Sequence, residues 1–238
     1  MNRRELLFST GAAFALSKTL GGSLALAHGK TAPPASVPYG KHAVLPLPFD
    51  AKKLKGLSER LLTSHHDNNY AGAVNNLNKV EDELARLPTD APAYLVGGLR
   101  ERELVFGNST TLHELYFANL GGNGKPDGAI LRALVEGLGS NWEAMFRATG
   151  MSLGGGSGWV ILNYSLTWNA VRIRWSGNHS QTMADAVPLL VMDMYEHAYQ
   201  MDYGAAAAKY IDAFFANVRW DEVNRRYERA LAMAQVST

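Results

Sequence analysis

The sequence predicts an α+β protein in which a helical first half is followed by a small antiparallel sheet and a helical end. Apolar residues recur at helical spacing through residues 50–87. Two short β-rich runs at 159–166 and 170–175 are separated by a turn, and an apolar run follows at 187–192. Helical patterns return from about Tyr203. This order indicates an N-terminal helical hairpin domain and a C-terminal domain with a three-stranded antiparallel sheet and flanking helices.

The N-terminal segment has the pattern of an export signal. Arg3 and Arg4 precede a mildly apolar stretch at residues 8–26, and Ala25-Leu26-Ala27 fits a small-residue cleavage site. Adjacent arginines ahead of a weakly apolar core are typical of twin-arginine signals. We therefore expect residues 1–27 to direct export, and we expect the mature protein in the periplasm.

The rest of the chain divides at proline- and glycine-rich stretches. Residues 28–44 contain several prolines and alanines and predict an extended leader. Residues 45–121 form the predicted helical domain, in which a second helical stretch is followed by a short helix at 110–119. The loop at 121–126 marks the boundary, and residues 126–238 form the second domain, which is predicted to begin with a helix from 127 to 149.

Composition excludes several classes of function. The 238 residues carry a formal net charge of +1, so no excess of positive charge indicates nucleic-acid binding. No apolar run reaches the roughly 18 residues of a membrane span, so we expect no stable membrane anchor after signal cleavage. The chain has no cysteine, which excludes thiolate chemistry and iron–sulfur clusters. Any metal would therefore be held by histidine or carboxylate ligands.

The histidines are few, and most have an unremarkable explanation. His28 and His42 fall in the predicted leader and His179 in a polar loop, so we expect all three to be solvated. His65 and His66 are neighbours on a helix, where only one of them can face a given site. His113 lies on an amphipathic segment, where a single histidine is usually a packed core residue.

The segment that begins at Asp193 is more informative. An apolar run leads directly into Asp193, and a carboxylate at the end of a buried strand is costly unless it is paired or binds a cation. His197 follows four residues later and can converge on the same point. Spacing alone leaves a second reading open, in which Asp193 and His197 form a hydrogen bond in a surface turn.

The segment Asp193-Met194-Tyr195-Glu196-His197-Ala198-Tyr199 resembles the D-x-W-E-H-A-Y signature of iron/manganese superoxide dismutases. Other blocks similar to that family follow in order over nearly all of the predicted mature chain: Leu45–Phe49, His65-His66 with Val74–Asn78, His113 with Tyr116–Leu120, Ser157–Trp159, Asn217–Trp220, and Arg226-Tyr227.

The resemblance implies a mononuclear site with one iron or manganese ion per chain. By position, its ligands would be His65, His113, Asp193 and His197. The implied activity is conversion of superoxide to dioxygen and hydrogen peroxide. In the family, the glutamate that corresponds to Glu196 reaches across a two-fold interface to the partner's last histidine ligand, so a homodimer is expected.

Several positions around the implied site depart from the family pattern. The glutamine that contacts bound solvent is matched by neither Ser109 nor Gly155, and the Trp of the signature is Tyr195. Other family side chains are replaced at Asn69, Ala73, Gln200 and Ala207. We expect Tyr70 and Tyr195 to act as catalytic groups in their place. Such residues set the reduction potential of the metal and the pKa of its bound water. Their replacement leaves an alternative open, which is a dismutase-like metal-binding protein with weak or different redox activity.

Overall fold

A computed structural model describes residues 36–236 of the chain. The predicted export signal and the first part of the leader, with His28, lie outside the described residues. From Val37 onward the chain forms one compact unit. No helix within residues 36–236 combines the length and the apolar character needed to cross a membrane.

The first half is helical, as predicted. A 3-10 turn at Ala51–Lys53 precedes α1 (Glu59–Ser64), a π-helical segment (His65–Tyr70), α2 (Ala71–Ala85) and α3 (Ala93–Ala118). The Ser58 hydroxyl caps α1 by accepting a hydrogen bond from the Leu61 amide at 3.1 Å. α2 and α3 pack against each other as the predicted hairpin. The prediction of a separate short helix at 110–119 is wrong. Those residues form the last part of α3, because no proline interrupts residues 93–118.

The end of the predicted leader packs against α2. The amide of Gly40 and the ring of His42 both contact the buried carboxylate of Glu81, with His42 Nε2 at 3.1 Å. The His42 amide donates to Asn78 Oδ1 at 2.8 Å. The expectation that His42 is simply solvated is therefore wrong, since Glu81 and Asn78 offer its polar groups partners in a partly buried position.

The second half begins with two helices, α4 (Gly128–Leu138) and α5 (Trp142–Met151). The single helix predicted from 127 to 149 is wrong. Gly139 ends α4 with φ +89°, a left-handed backbone value that only glycine adopts without strain. After the sheet, a short α6 (Gln200–Tyr203) precedes α7 (Ala207–Ala216) and α8 (Trp220–Val236), which are the two terminal helices that the sequence predicts.

The sheet has three antiparallel strands in the order β2-β1-β3, which confirms the predicted α+β fold. Its strands are β1 (Trp159–Ser165), β2 (Ala170–Ser176) and β3 (Ala186–Asp193). In the register, Trp159 at the start of β1 lies opposite Ser176 on one side and Asp193 on the other. The last residue of β2, the first residue of β1 and the last residue of β3 therefore lie side by side at one end of the sheet.

The outer edge of β3 is capped by side chains from two helices. The register shifts beside Leu162, and the Leu189 carbonyl accepts hydrogen bonds from Asn119 (3.3 Å) and Arg226 (3.2 Å). Asn119 Oδ1 also accepts from the Val191 amide at 3.1 Å. The Arg226 guanidinium is in turn paired with Glu222 at 2.8 Å. These contacts supply the partners that a neighbouring strand would otherwise supply, and they fix the strand that leads to Asp193.

Candidate metal centre

Four side chains from separate elements converge at this end of the sheet. His65 is the first residue of the π-helical segment, His113 lies on α3, Asp193 ends β3, and His197 lies in a 3-10 turn at Glu196–Ala198. One nitrogen or oxygen of each lies within 4.8 Å of the corresponding atoms of the others. π-helical turns are frequent at functional sites, and this one carries His65 into the cluster.

The centre of the cluster is one oxygen of Asp193. Its Oδ2 lies 3.1 Å from His65 Nε2, 3.1 Å from His197 Nε2 and 3.7 Å from His113 Nε2. Two ligand atoms that share a metal with bonds of about 2.1 Å stand roughly 3.0–3.6 Å apart when they subtend 90–120° at the ion. The observed separations match that spacing closely.

Three of the four side chains in the cluster are buried, and the fourth, His197, forms its partly open side. The side chains of His65, His113 and Asp193 are at most 1 % exposed, whereas the His197 side chain is 24 % exposed. Burial lowers the pKa of the His113 imidazole to about 3 and also lowers the pKa of His65. Burial alone would raise the pKa of Asp193, but the imidazoles of His197 and His65 outweigh it and hold that pKa below its usual range. Neutral buried imidazoles therefore face an ionised carboxylate.

This arrangement fits a cation. The Nδ1–H of His113 donates to the Ser109 carbonyl at 2.7 Å, so its Nε2 presents a lone pair toward the carboxylate. That Nε2 is buried and has no hydrogen-bond partner among the described residues. A lone pair facing an anion in a dry site is unfavourable unless a positive charge lies between them. Three imidazole nitrogens and one carboxylate oxygen suit iron and manganese as well as other borderline ions.

Backbone contacts fix the orientation of these groups. The Tyr195 amide donates to Asp193 Oδ1 at 2.8 Å, which leaves Oδ2 to face the imidazoles. The Tyr210 hydroxyl donates to the Asp193 carbonyl at 2.6 Å. The Ser109 carbonyl fixes the tautomer of His113, as outer partners of metal-binding histidines commonly do. These contacts with neighbouring groups thus fix the orientation of Asp193 and His113.

The other predicted site residues lie around this cluster. The Tyr70 ring is buried 6.2 Å from the His113 ring, but its hydroxyl accepts from the Leu45 amide (2.9 Å) and donates to Glu114 (3.0 Å). Tyr195 stacks on His197 with ring centroids 5.3 Å apart. His66 is not in the cluster, since its Nε2 contacts the Leu45 carbonyl at 2.7 Å.

Glu196 is exposed beside His197 at the open side. Neither position considered for the missing glutamine supplies a group that reaches the cluster's open side. Ser109 Oγ lies 3.4 Å from His113 Nδ1, on the far side of the ring from Asp193, and the Gly155 amide donates to the Tyr199 hydroxyl.

Sequence reasoning missed His179, and its assignment as a solvated loop residue is wrong. Its ring stacks on Tyr195 with centroids 4.8 Å apart and planes 9° from parallel, and it lies 6.3 Å from the His113 ring. Its Nδ1 accepts a hydrogen bond from the indole N–H of Trp159 at 3.0 Å. Burial lowers its pKa. The Asn108 amide holds its carbonyl at 2.6 Å, so α3 anchors this loop beside the cluster.

One signal in the sequence could have located His179. It lies three residues after the end of β2, and Ser176 at that end pairs with Trp159, whose other neighbour is Asp193. When β3 pairs with β1 on the side away from β2, the residues that follow β2 lie at the same end of the sheet as Asp193. The predicted hairpin alone does not give this position, because it does not say beside which strand β3 lies.

Comparison with known proteins identifies the family. A family model for the iron/manganese superoxide dismutase C-terminal domain matches residues 126–226. A protein named superoxide dismutase [Fe] from Cupriavidus metallidurans is 46% identical over 189 residues, which cover 78% of this chain and 96% of the relative. A superoxide dismutase [Mn] from Haloferax volcanii is 33% identical, covering 79% and 96%. One named superoxide dismutase [Fe] from Aquifex aeolicus is 31% identical, covering 81% and 94%. With this similarity over nearly the whole length of its relatives, the chain belongs to the iron/manganese superoxide dismutase family.

Proposed function

We propose that this protein is a superoxide dismutase with one iron or manganese ion held by His65, His113, Asp193 and His197. The observation that carries the proposal is the cluster of three imidazoles around one carboxylate oxygen, in which the buried, unpartnered Nε2 lone pair of His113 faces Asp193 and favours a cation between them. Family membership supports the activity, since relatives named for iron and for manganese both match.

Bound iron or manganese supplies a one-electron couple, so that one superoxide is oxidised to dioxygen and a second, with two protons, is reduced to hydrogen peroxide. The protein holds the ligand set rigid through the Tyr195 amide and the Ser109 carbonyl. Burial keeps water from His65, His113 and Asp193, and the partly exposed His197 side chain marks the side from which a small anion would approach. A fixed geometry of this kind suits both oxidation states without large reorganisation.

Protons must reach the reduced product, and two tyrosines are the proposed donors. Burial raises the pKa of Tyr70 to about 12 and also raises the pKa of Tyr195, so both hydroxyls stay protonated near neutral pH. The Tyr70 hydroxyl donates to Glu114, which lines an open cavity of about 640 Å³ together with Arg100 and Glu103. Glu114 therefore lies between the Tyr70 hydroxyl and that cavity and could relay protons from solvent.

The direct test is superoxide decay, followed by rapid mixing, with protein loaded separately with iron and with manganese. We expect superoxide to decay with first-order kinetics at a rate proportional to the concentration of metal-loaded protein, with one dioxygen and one hydrogen peroxide formed for every two superoxide ions. Metal analysis of the same samples should give one ion per chain. Full metal occupancy without accelerated decay would refute the proposed activity and favour the dismutase-like alternative.

We also propose a symmetric homodimer. Glu196 is exposed next to His197, whose ring is itself partly open. A carboxylate from a second copy at that point would orient the His197 ring and close the open side of the site. Glu196→Ala should then raise the dimer dissociation constant and loosen metal binding together, measured by light scattering and metal analysis. Glu143→Ala, at a partly exposed carboxylate on α5 that pairs with Arg147 instead of contacting the cluster, is the matched control. A wild-type monomer at micromolar concentration with its metal fully bound would contradict the proposal.

Export to the periplasm is a further proposal, supported by the Arg3-Arg4 pair and the Ala25-Leu26-Ala27 sequence. Replacing both arginines by lysine keeps the charge but removes the twin-arginine feature, so the precursor should accumulate in the cytoplasm. Cell fractionation and the mass of the mature N-terminus are the measurements. Export that is unaffected by the double substitution would rule out a twin-arginine route.

A further inference from the structure

A cavity of about 220 Å³ lies between α3 and the sheet, and none of the four proposed metal ligands lines it. Its volume is below the roughly 300–1,000 Å³ of sites for drug-sized molecules, so it suits a small ligand. No Asp or Glu among the described residues lines it. Its polar lining consists of one arginine and five amide or hydroxyl side chains: Asn108, Thr111, Asn163, Arg174, Gln181 and Thr182.

Arg174 gives this cavity an unpaired positive charge. Its Nη2 is buried, and the described part of the chain provides neither a hydrogen-bond acceptor for that nitrogen nor a salt-bridge partner for the guanidinium. The Trp168 ring centroid lies 5.2 Å from Cζ of Arg174, and this contact positions the guanidinium without neutralising it. A buried guanidinium N–H without an acceptor is costly, so the cavity favours an anion.

Asn163 adds a second requirement on the ligand. The residue is 4 % exposed, and its Oδ1 is buried without a hydrogen-bond partner among the described residues. Asn163 lies opposite Arg172 in the register, so Arg174 is its diagonal neighbour on the same face of the sheet. A carboxamide oxygen only accepts hydrogen bonds, so a ligand that meets both groups must carry a negative charge and also an O–H donor. Hydrogen phosphate and bicarbonate have both features, whereas sulfate and chloride have no O–H near neutral pH.

We propose that this cavity binds a small oxyanion with a free O–H group, hydrogen phosphate or bicarbonate. Arg174 donates hydrogen bonds to its charged oxygens, and Asn163 Oδ1 accepts one from its O–H group. Gln181, in the wall of the cavity, accepts a hydrogen bond from the Gly177 amide at 2.8 Å, so the bound anion should also stabilise the loop that follows β2. This site goes beyond the proposed function and does not depend on it.

The test is isothermal titration of the metal-loaded protein with phosphate, bicarbonate, sulfate and chloride at matched ionic strength and neutral pH. We expect one phosphate or bicarbonate per chain, and the anion with the lower Kd is the better ligand. Sulfate should bind at least about tenfold more weakly, because it cannot donate to Asn163. Arg174→Met should raise the Kd of phosphate at least about tenfold. Arg172→Met is the matched control, since Arg172 lies beside the same Trp168 ring, but its Nη1 donates to the Val171 carbonyl at 2.8 Å.

Asn163→Leu removes the acceptor at similar side-chain volume, so it should abolish the preference for phosphate over sulfate. Arg174 is only partly buried, so Arg174→Met still tests the site if Asn163→Leu does not fold.

Three results would overturn the inference. The first is the absence of saturable binding of phosphate and of bicarbonate to the wild type, which would leave water as the occupant of the cavity. The second is equal affinity for sulfate and phosphate, which would remove the need for an O–H donor. The third is unchanged phosphate binding in Arg174→Met, which would place the anion elsewhere, such as at the metal centre. Normal anion binding by a protein that does not consume superoxide would support this inference and refute the proposed function.

Discussion

Asp193→Asn is the substitution that tests the metal centre most sharply, because it should act in different ways with and without the ion. Asparagine has nearly the same volume as aspartate and retains an oxygen for the Tyr195 amide, which now donates to Asp193 Oδ1 at 2.8 Å. Its amide N–H groups can donate to the His65 and His197 nitrogens that lie 3.1 Å from Oδ2. The change removes a fully buried charge and little else.

Without metal, we expect the free energy of unfolding to change by no more than about 1 kcal/mol, because neutral hydrogen bonds replace charged ones and the cost of burying the charge disappears. With metal, the only anionic ligand is lost. Loss of an outer hydrogen-bonding partner alone weakens metal binding 10–100-fold, so loss of this ligand should cost at least about 100-fold. At free metal equal to 100 times the wild-type Kd, the stabilisation by metal should fall from about 2.7 to about 0.4 kcal/mol.

The assay is urea unfolding of the wild type and of Asp193→Asn. Each protein is measured without metal and at one fixed concentration of free metal. Asp185→Asn is the matched control, since Asp185 is a carboxylate in the loop before β3 that contacts Ser165 and Thr167 instead of the cluster. This control should keep the whole wild-type stabilisation by metal of about 2.7 kcal/mol. An equal increment for wild type and Asp193→Asn would show that Asp193 is not a ligand.

Three further predictions concern the framework of the site. Arg226→Met should lower the free energy of unfolding by about 1.5–3 kcal/mol, seen by urea denaturation, because it removes charged hydrogen bonds to Glu222 and to the Leu189 carbonyl; a change below 0.5 kcal/mol would contradict this role (roughly the size of an ordinary surface substitution). Burial alone would raise the pKa of Glu222, but its arginine partners hold that pKa below the usual value. Its contribution to stability should therefore be present above the unfolded pKa and be lost as pH falls through the folded value. Glu222→Gln should flatten the acid side of the stability–pH curve, and an unchanged slope would contradict it. Gly124→Ala should lower the melting temperature, because φ is +74° there and a Cβ would stand 2.4 Å from the Phe215 carbonyl oxygen; an unchanged melting temperature would refute the close approach.

Much of the fold could be predicted from local patterns. Apolar spacing located the helices of the first half and the last two helices, and alternating β-rich runs located the hairpin and β3 to within a few residues. The errors fell where tertiary contacts decide. Gly139 breaks α4 from α5 through a left-handed backbone that apolar spacing does not encode. Residues 110–118 extend α3, because packing against α2 supports a 26-residue helix that contains three glycines.

The candidate site divides in the same way. The motif from Asp193 to Tyr199 and the ordered blocks before it were sufficient to nominate all four cluster residues, because the identity and spacing of ligands are properties of the chain. Because His65 and His66 are neighbours on one helix, the sequence also predicted that only one of them could face the site. In the structure His65 faces the cluster and His66 contacts the Leu45 carbonyl.

What only the tertiary structure decided was the environment of those ligands. The sheet order β2-β1-β3 brings Ser176, Trp159 and Asp193 to one edge, and so places His179 beside His113 although these residues are far apart in sequence. The bare lone pair of His113, the tautomer of His179 and the open side at His197 depend on distances between different elements. A sequence determines which chemical groups are present and the local structure that carries them, whereas the pKa values, tautomers and access of a buried site arise from what the fold packs around it.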